Sequence, residues 1–187
     1  MLAGPNGSGK SSLVPRLRSV VDLGVSVNAD EIQLLLRTQA SLPFADWQLY
    51  LTQTDLESFS SLPGSQRLPS VALNSLHIVD NKLLLSAVKA DAYLSAWVAE
   101  LLRFHLLQEK RSLLFETVMS HQSKVDFLAE ARIQGFRTYL YYVATVDPLI
   151  NLERVAARVA KGGHPVSPAK IVERYQRSLD LLLPAIK

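Results

Sequence analysis

Eight consecutive residues near the start, Gly4-Pro5-Asn6-Gly7-Ser8-Gly9-Lys10-Ser11, constrain this chain more than anything else in it. They fill G-x-x-x-x-G-K-[ST] at every fixed position. Glycines let successive backbone N–H groups curl around phosphate oxygens, and the helix that follows such a loop adds its positive N-terminal dipole. The octet therefore belongs between a strand and a helix. "MLA" is the stub of that strand, and a helix is expected from Lys10 to about Val20. Pro15 falls inside it, lacks an N–H and crowds the Ser11 carbonyl, which predicts a kink or a shortened first turn. Asn6, Gly7, Ser8, Gly9, Lys10, Ser11 and Ser12 are the expected nucleotide-binding residues. Lys10 would reach the β and γ phosphates, and the Ser11 hydroxyl would take a place on Mg²⁺. The competing reading is a chance glycine-rich turn.

The remaining residues alternate strand and helix signals. "GVSVNAD" is a short β-branched run with Val25 and Val27 buried, followed by a helix from Glu31 to about Arg37. Asp91 is a good N-cap for a long helix whose Leu94, Trp97, Val98, Leu101 and Leu102 form one apolar stripe. "SLLFET" is a buried strand, and a helix from Ser123 to about Gln134 stops at Gly135. "RTYLYYVAT" is a fourth strand, Pro148 opens a helix to Lys161, and a last helix runs from about Pro168 to Leu183. This order predicts an α/β fold with a mostly parallel sheet and helices on both faces, in three layers. Residues 40 to 90 differ in character: helical spacing in "ADWQLYLTQTDLESF", a loop in "SSLPGSQRLPS", and a hairpin in "SLHIVDNKLLLS" turning at Asp80-Asn81. They read as a cap inserted into a single domain spanning residues 1–187, with a lid over about 154–178. The first strand is barely three residues long and no fifth strand follows the last helix, so both ends look trimmed.

Composition narrows the partners. Lys and Arg number 20 against 17 Asp and Glu, a formal charge of only +3 with no block of like charge, so no nucleic-acid partner is expected. There is no cysteine, which excludes disulfides and thiol chemistry. No apolar run approaches the roughly 20 residues that span a bilayer, so no membrane partner is expected and a cytoplasmic setting is.

In an open parallel sheet ligands bind at the carboxyl edge, and four polar clusters fall there: the glycine loop, Asp30, Glu116 with Thr117, and Thr145 with Asp147. Asp30 is placed to accept a proton from a substrate hydroxyl, or else it caps the helix that begins at Glu31. Glu116 would bind substrate hydroxyls or hold Mg²⁺ through water, or else cap the next loop. Arg154, Arg158 and Lys161 fall at i, i+4 and i+7 on one helix, with Arg174 and Arg177 on the next, across "KGGHPVSP". Two arginine-bearing helices around a glycine hinge suit a lid that neutralises phosphate charge, or are two solvated faces. His164 lies in the hinge. His105, on the apolar side of its helix, reads as a core-edge histidine.

With these pieces in place the chain resembles a zeta-toxin-type P-loop kinase. The stretches that carry the likeness are "LAGPNGSGKSSL", "VNADEI", "LLFETVMSH", "GFRTYLYYVAT" and "NLERVAARVAKGGHPVSPAKIVERYQRSL", in that order. The "FET" strand and the "RVA-x-RV-x-x-GGH-x-V" segment are more specific than the glycine loop. The resemblance implies phosphorylation of a small-molecule hydroxyl with ATP or GTP and Mg²⁺. It implies catalytic roles for Lys10, Asp30, Arg158 and Arg174, with Arg154 and Arg177 as competitors for the arginine positions. Asp30, Glu116 and Thr117 would contact the substrate. Studied toxins of the family act on a UDP-linked amino sugar, and an antitoxin protein is a further candidate partner. Kinases for other acceptors (a nucleoside, an antibiotic, a plain amino sugar) and a nucleotide-binding module without transfer remain as alternatives.

Overall fold

A computed structural model describes residues 1–63, 68, 70–86, 89–163 and 165–187. In chain order the elements are β1 (Leu2–Ala3), α1 (Lys10–Arg18), β2 (Val25–Val27), α2 (Ala29–Gln39), β3 (Ser41–Pro43), a 3₁₀ turn (Phe44–Trp47) and α3 (Gln53–Ser61). They continue with α4 (Ser70–Leu73), β4 (Leu76–Val79), β5 (Lys82–Leu85), α5 (Ala92–Gln108), β6 (Leu113–Thr117) and α6 (Ser123–Ile133). The last are β7 (Tyr141–Tyr142), α7 (Pro148–Ala160), α8 (Pro168–Asp180) and α9 (Leu182–Ile186). The chain is mixed α/β, with a mostly parallel sheet flanked by helices. It divides into two compact units, Met1–Leu23 with Leu114–Lys187, and Gly24–Leu113. Among the described residues, no helix is long and apolar enough to cross a membrane.

In the first unit β1 lies between β6 and β7, parallel to both, with Leu2 opposite Glu116 and Tyr141, and Ala3 opposite Thr117 and Tyr142. Leu2 and Ala3 are fully buried, as a central strand requires. Of the strand expected over "RTYLYYVAT", only Tyr141–Tyr142 is paired as strand, because the neighbouring β1 is itself two residues long. α1 runs through Pro15 and ends at Arg18, two residues short of the expected Val20. Its first turn is tight, with the Ser12 N–H donating to the Gly9 carbonyl at 3.2 Å. α8 stops at Asp180 rather than Leu183. To continue it, residue 184 would have to donate an N–H to the Asp180 carbonyl, and Pro184 has none, so α9 starts a new turn in which proline is tolerated.

The second unit has its own core. α2 packs on α5 and on β3, and the stripe of Leu94, Trp97, Val98, Leu101 and Leu102 is buried as its spacing requires. Asp91 caps α5, accepting the Leu94 N–H at 2.8 Å. β3, β5 and β4 form a three-stranded antiparallel sheet in that order. The hairpin of β4 and β5 turns at Asp80 and Asn81, both left-handed (φ 49° and 58°), as a two-residue turn matched to strand twist requires. β3 goes beyond the sequence expectation. The helix expected over residues 45–59 is broken instead: Gln48 turns left-handed, and Thr52 with Asp55 forms a capping box that starts α3 afresh. Phe59 of α3 meets the Trp97 ring edge-on at 5.2 Å. Of the loop expected in "SSLPGSQRLPS", Ser60 and Ser61 end α3 and Ser70 begins α4, and residues 64–67 and 69 fall outside the described residues. His105 is, as expected, at the core edge: its ring stands edge-on to Phe104, and burial holds its pKa below the usual histidine value.

Asn81 ties this unit together. Its amide oxygen accepts the Leu51 N–H at 2.9 Å and its amide nitrogen donates to the Leu49 carbonyl at 3.0 Å, from a left-handed backbone that asparagine tolerates. Asn81→Ala should lower unfolding free energy by about 2–4 kcal/mol, the sum of two lost bonds and a strained turn. Asp80→Gly should stay within about 1 kcal/mol of wild type, since glycine adopts that φ freely. Urea unfolding of the two variants checks this, and equal midpoints would remove Asn81 from the role.

Candidate functional site

The glycine loop is wedged between two pieces of backbone. Gly4 has φ 143°, and a Cβ there would lie 1.9 Å from the Val143 carbonyl oxygen. Gly7 has φ 75°, and a Cβ there would lie 2.7 Å from the Asn151 carbonyl oxygen of α7. Both positions thus require glycine for space as well as conformation. The loop is anchored by the Gly4 N–H on the Thr117 carbonyl at 3.2 Å and by the Ser8 N–H on the Pro5 carbonyl at 3.2 Å. Gly9 then begins α1 in a left-handed conformation, with no side chain capping the helix and no acid in its first turn. The N-terminus of α1 is thereby left electropositive.

Lys10 folds back over the loop, its Nζ donating to the Gly4 carbonyl at 2.6 Å and the Pro5 carbonyl at 2.9 Å. The Ser11 hydroxyl donates to Glu116 Oε2 at 2.8 Å. Ser12 is exposed. Two polar atoms of the loop, Asn6 Oδ1 and Ser8 Oγ, are buried and find no partner among the described residues, an arrangement that a phosphate-bearing ligand with its water would relieve. Thr117 follows Glu116 with its hydroxyl already accepting the Met119 N–H at 3.0 Å, which holds the turn after β6.

α7 supplies the cations. Asp147 caps it, accepting the Leu149 N–H at 2.8 Å, so this carboxylate of the sheet edge serves the helix. Arg154 Nη1 lies 3.5 Å from the Gly7 carbonyl and 3.4 Å from the Ser8 carbonyl, against the loop itself. Arg154, Ala157, Arg158, Lys161, Gly162 and Gly163 line an open groove of about 530 Å³. Among the described residues it holds three cationic side chains and no acid, a surface for a polyanion. On α8 the half-buried Arg174 makes no hydrogen bond or ion pair to the described residues, whereas Arg177 is paired with Glu173 at 2.6 Å. His164 lies outside the described residues.

The structure thus brings together Lys10, Ser11, Glu116 and Arg154 around one loop, with Arg158 and Lys161 sharing Arg154's groove. Asp30 belongs to the other compact unit, exposed in the first turn of α2. The helix cap there is Asn28, whose Oδ1 accepts the Asp30 N–H at 2.9 Å, so the capping alternative for Asp30 is corrected. Asp30's carboxylate makes no hydrogen bond to the described residues. Asn151 is the residue that the sequence reading missed. It is fully buried, and it pairs with Val155 at i+4 as the buried face of α7. A polar residue on an apolar helical stripe was the signal available for it.

No group of three or more His, Cys, Asp or Glu side chains able to hold a metal occurs among the described residues. The Ser11–Glu116 pair offers one hydroxyl and one carboxylate, the protein share typical of an Mg²⁺ that keeps its waters and binds phosphate oxygens.

The chain matches the zeta toxin family over residues 81–182, just over half of its length. That span starts well after the glycine loop, so loop and family are separate observations. No curated protein and no solved structure matches the chain.

Lys10→Ala removes two bonds on the loop surface and should cost about 1–2 kcal/mol of stability. It should cost far more in ligand response. Mg·ATP or Mg·GTP should raise the melting temperature of the wild type by mass action, and the variant should need about 100-fold more nucleotide for the same shift. Equal shifts in both proteins would take Lys10 out of the phosphate site.

Proposed function

The chain belongs to the zeta toxin family, whose members are kinase-like P-loop phosphotransferases, and from that premise we propose that it transfers the γ-phosphoryl group of ATP or GTP to a hydroxyl of a small metabolite. The observation that carries this reading is the placement of the Arg154–Arg158–Lys161 groove beside a glycine loop that Arg154 touches. A loop alone binds phosphate. A loop with a cationic groove also serves the charge that spreads over a phosphoryl group in transit.

In this mechanism the backbone of residues 6–9 and the start of α1 hold the β and γ phosphates. Lys10 exchanges its loop carbonyls for phosphate oxygens. Ser11 and Glu116 would hold Mg²⁺, which would supply charge neutralisation at the phosphates. The acceptor oxygen attacks the γ-phosphorus while the bond to the β–γ bridging oxygen breaks. Asp30 takes the acceptor's proton, and the nucleoside diphosphate departs. Arg158 and Arg174 steady the transferring group, with Arg154 fixing the loop beneath it. Asp30 fits the base role because Asn28 has relieved its carboxylate of capping.

The acceptor is set in the unit that holds Asp30. The segment from Ser41 to Ala90 shares a core with α2, which bears Asp30, and we assign it acceptor selectivity. A nucleotide-linked amino sugar is the first acceptor class to test, in a cytoplasmic setting where such pools lie. An antitoxin protein would be the partner that restrains the activity.

Incubating the chain with labelled nucleotide, Mg²⁺ and a metabolite extract should yield one newly phosphorylated small molecule, and binding without transfer would sink the proposal. Asp30→Asn is the sharper probe. It should bind nucleotide like wild type and lower kcat by about 10²- to 10⁴-fold, because an amide cannot take the proton. Since Asn28 is the cap, stability should hardly change, and a normal kcat would remove Asp30 as base.

A further inference from the structure

We propose that Asn151 is the positioning residue of the glycine loop, and that Thr145 and Tyr175 couple its setting to the helix that bears Arg174. The effect on ligand rests on the nucleotide-binding reading above, and the positioning itself does not.

Asn151 is fully buried on α7, where an amide is tolerated only when both of its ends are bonded. Both are. The Thr145 hydroxyl donates to Asn151 Oδ1, and Asn151 Nδ2 donates to the Asn6 carbonyl. That second bond sets the loop. In a planar trans peptide the C=O of one residue and the N–H of the next point in opposite directions. Drawing the Asn6 carbonyl towards α7 therefore turns the Gly7 N–H away from α7, to the side left for an anion. The Asn151 backbone carbonyl stands where a side chain on residue 7 would be, so the same residue fixes the loop's distance from α7 as well as its tilt.

The chain of bonds continues outward. Thr145 also shares its hydroxyl with the Asp147 carbonyl at 3.2 Å, and its own carbonyl accepts the Tyr175 hydroxyl at 2.6 Å. Tyr175 is buried on α8 and adjoins Arg174 in sequence. One turn on, Ser178 donates to the Val118 carbonyl at 2.6 Å and meets the Tyr142 hydroxyl at 2.9 Å, which pins α8 to the ends of β6 and β7. α8 and the loop are thus linked through Tyr175, Thr145 and Asn151.

The test uses the whole chain and three variants. Thr145→Val removes the hydroxyl with little change of shape, and Tyr175→Phe removes the outer link. Asn151→Asp keeps the acceptor for Thr145 while ending the donation to Asn6. Hydrogen exchange of the residue 7–9 amides in the ligand-free protein should quicken about tenfold in Thr145→Val and in Asn151→Asp. The Kd for Mg·ATP should rise about five- to tenfold, with kcat at saturation changed less than about twofold. The double variant Asn151→Asp/Thr145→Val should lose no more than the worse single one, since both act through one chain of bonds. Should Asn151→Asp fail to fold, Thr145→Val and Tyr175→Phe carry the same comparison. Unchanged loop exchange, or losses that simply add, overturns the proposal. Quickened exchange in a protein whose wild type binds no nucleotide upholds the positioning and ends the kinase reading instead.

Discussion

The carbonyl oxygen of Asn151 stands where a side chain on residue 7 would have to go, and most of the first unit follows from that contact. It fixes residue 7 as glycine and brings α7 against the phosphate loop. It also sets the register of everything further along the helix, so that Arg154 lies against the loop's rim and Arg158 and Lys161 beyond it. The contact is inexpensive in sequence, since it needs one glycine and one backbone. What makes it durable is the buried amide beside it, which loses heavily if either of its partners is removed.

The two carboxylates singled out by the sequence are not equivalent in their surroundings. Glu116 is engaged by the Ser11 hydroxyl of the loop. Asp30 sits in a helix first turn whose capping is done by Asn28. The sequence "VNADE" holds two residues able to cap, two positions apart, and only the extended backbone at Asn28 decides between them. That decision is what frees one acid for another task, and nothing in the sequence spacing announces it.

Elsewhere the legibility of the sequence depended on whether the determining contacts were local. The Asp80-Asn81 turn, the Asp91 cap, the stop at Gly135 and the apolar stripe of α5 are each written within a few residues, and each formed where expected. β3 was hidden because three residues, one of them proline, hold no alternation to read, and its partner β5 is some forty positions away. The "RTYLYYVAT" strand was overlong because its length is set by β1 rather than by its own β propensity. For the site, the loop, Lys10 and the α7 cations were legible from motif and spacing. The amide that sets the loop was not, since its partners lie at residues 6 and 145 and come together only in the folded unit.

In the proposed reading α7 acts as a single ruler for phosphate. Asn151, Arg154 and Arg158 follow one another at three and four residues, close to whole turns of 3.6, so they descend one side of the helix, and Lys161 follows at its C-terminal cap. Moving any of them by one residue would swing its side chain by about 100° around the axis and take it off that side. Phosphoryl transfer asks little covalent work of a protein and a great deal of positioning, so a rigid rod that touches the loop at one end and presents cations along its length answers most of the demand. The acceptor makes no such claim on the rod. In the proposed reading its selectivity rests with the Gly24–Leu113 unit, whose sheet, hairpin and helices are built on a core of their own.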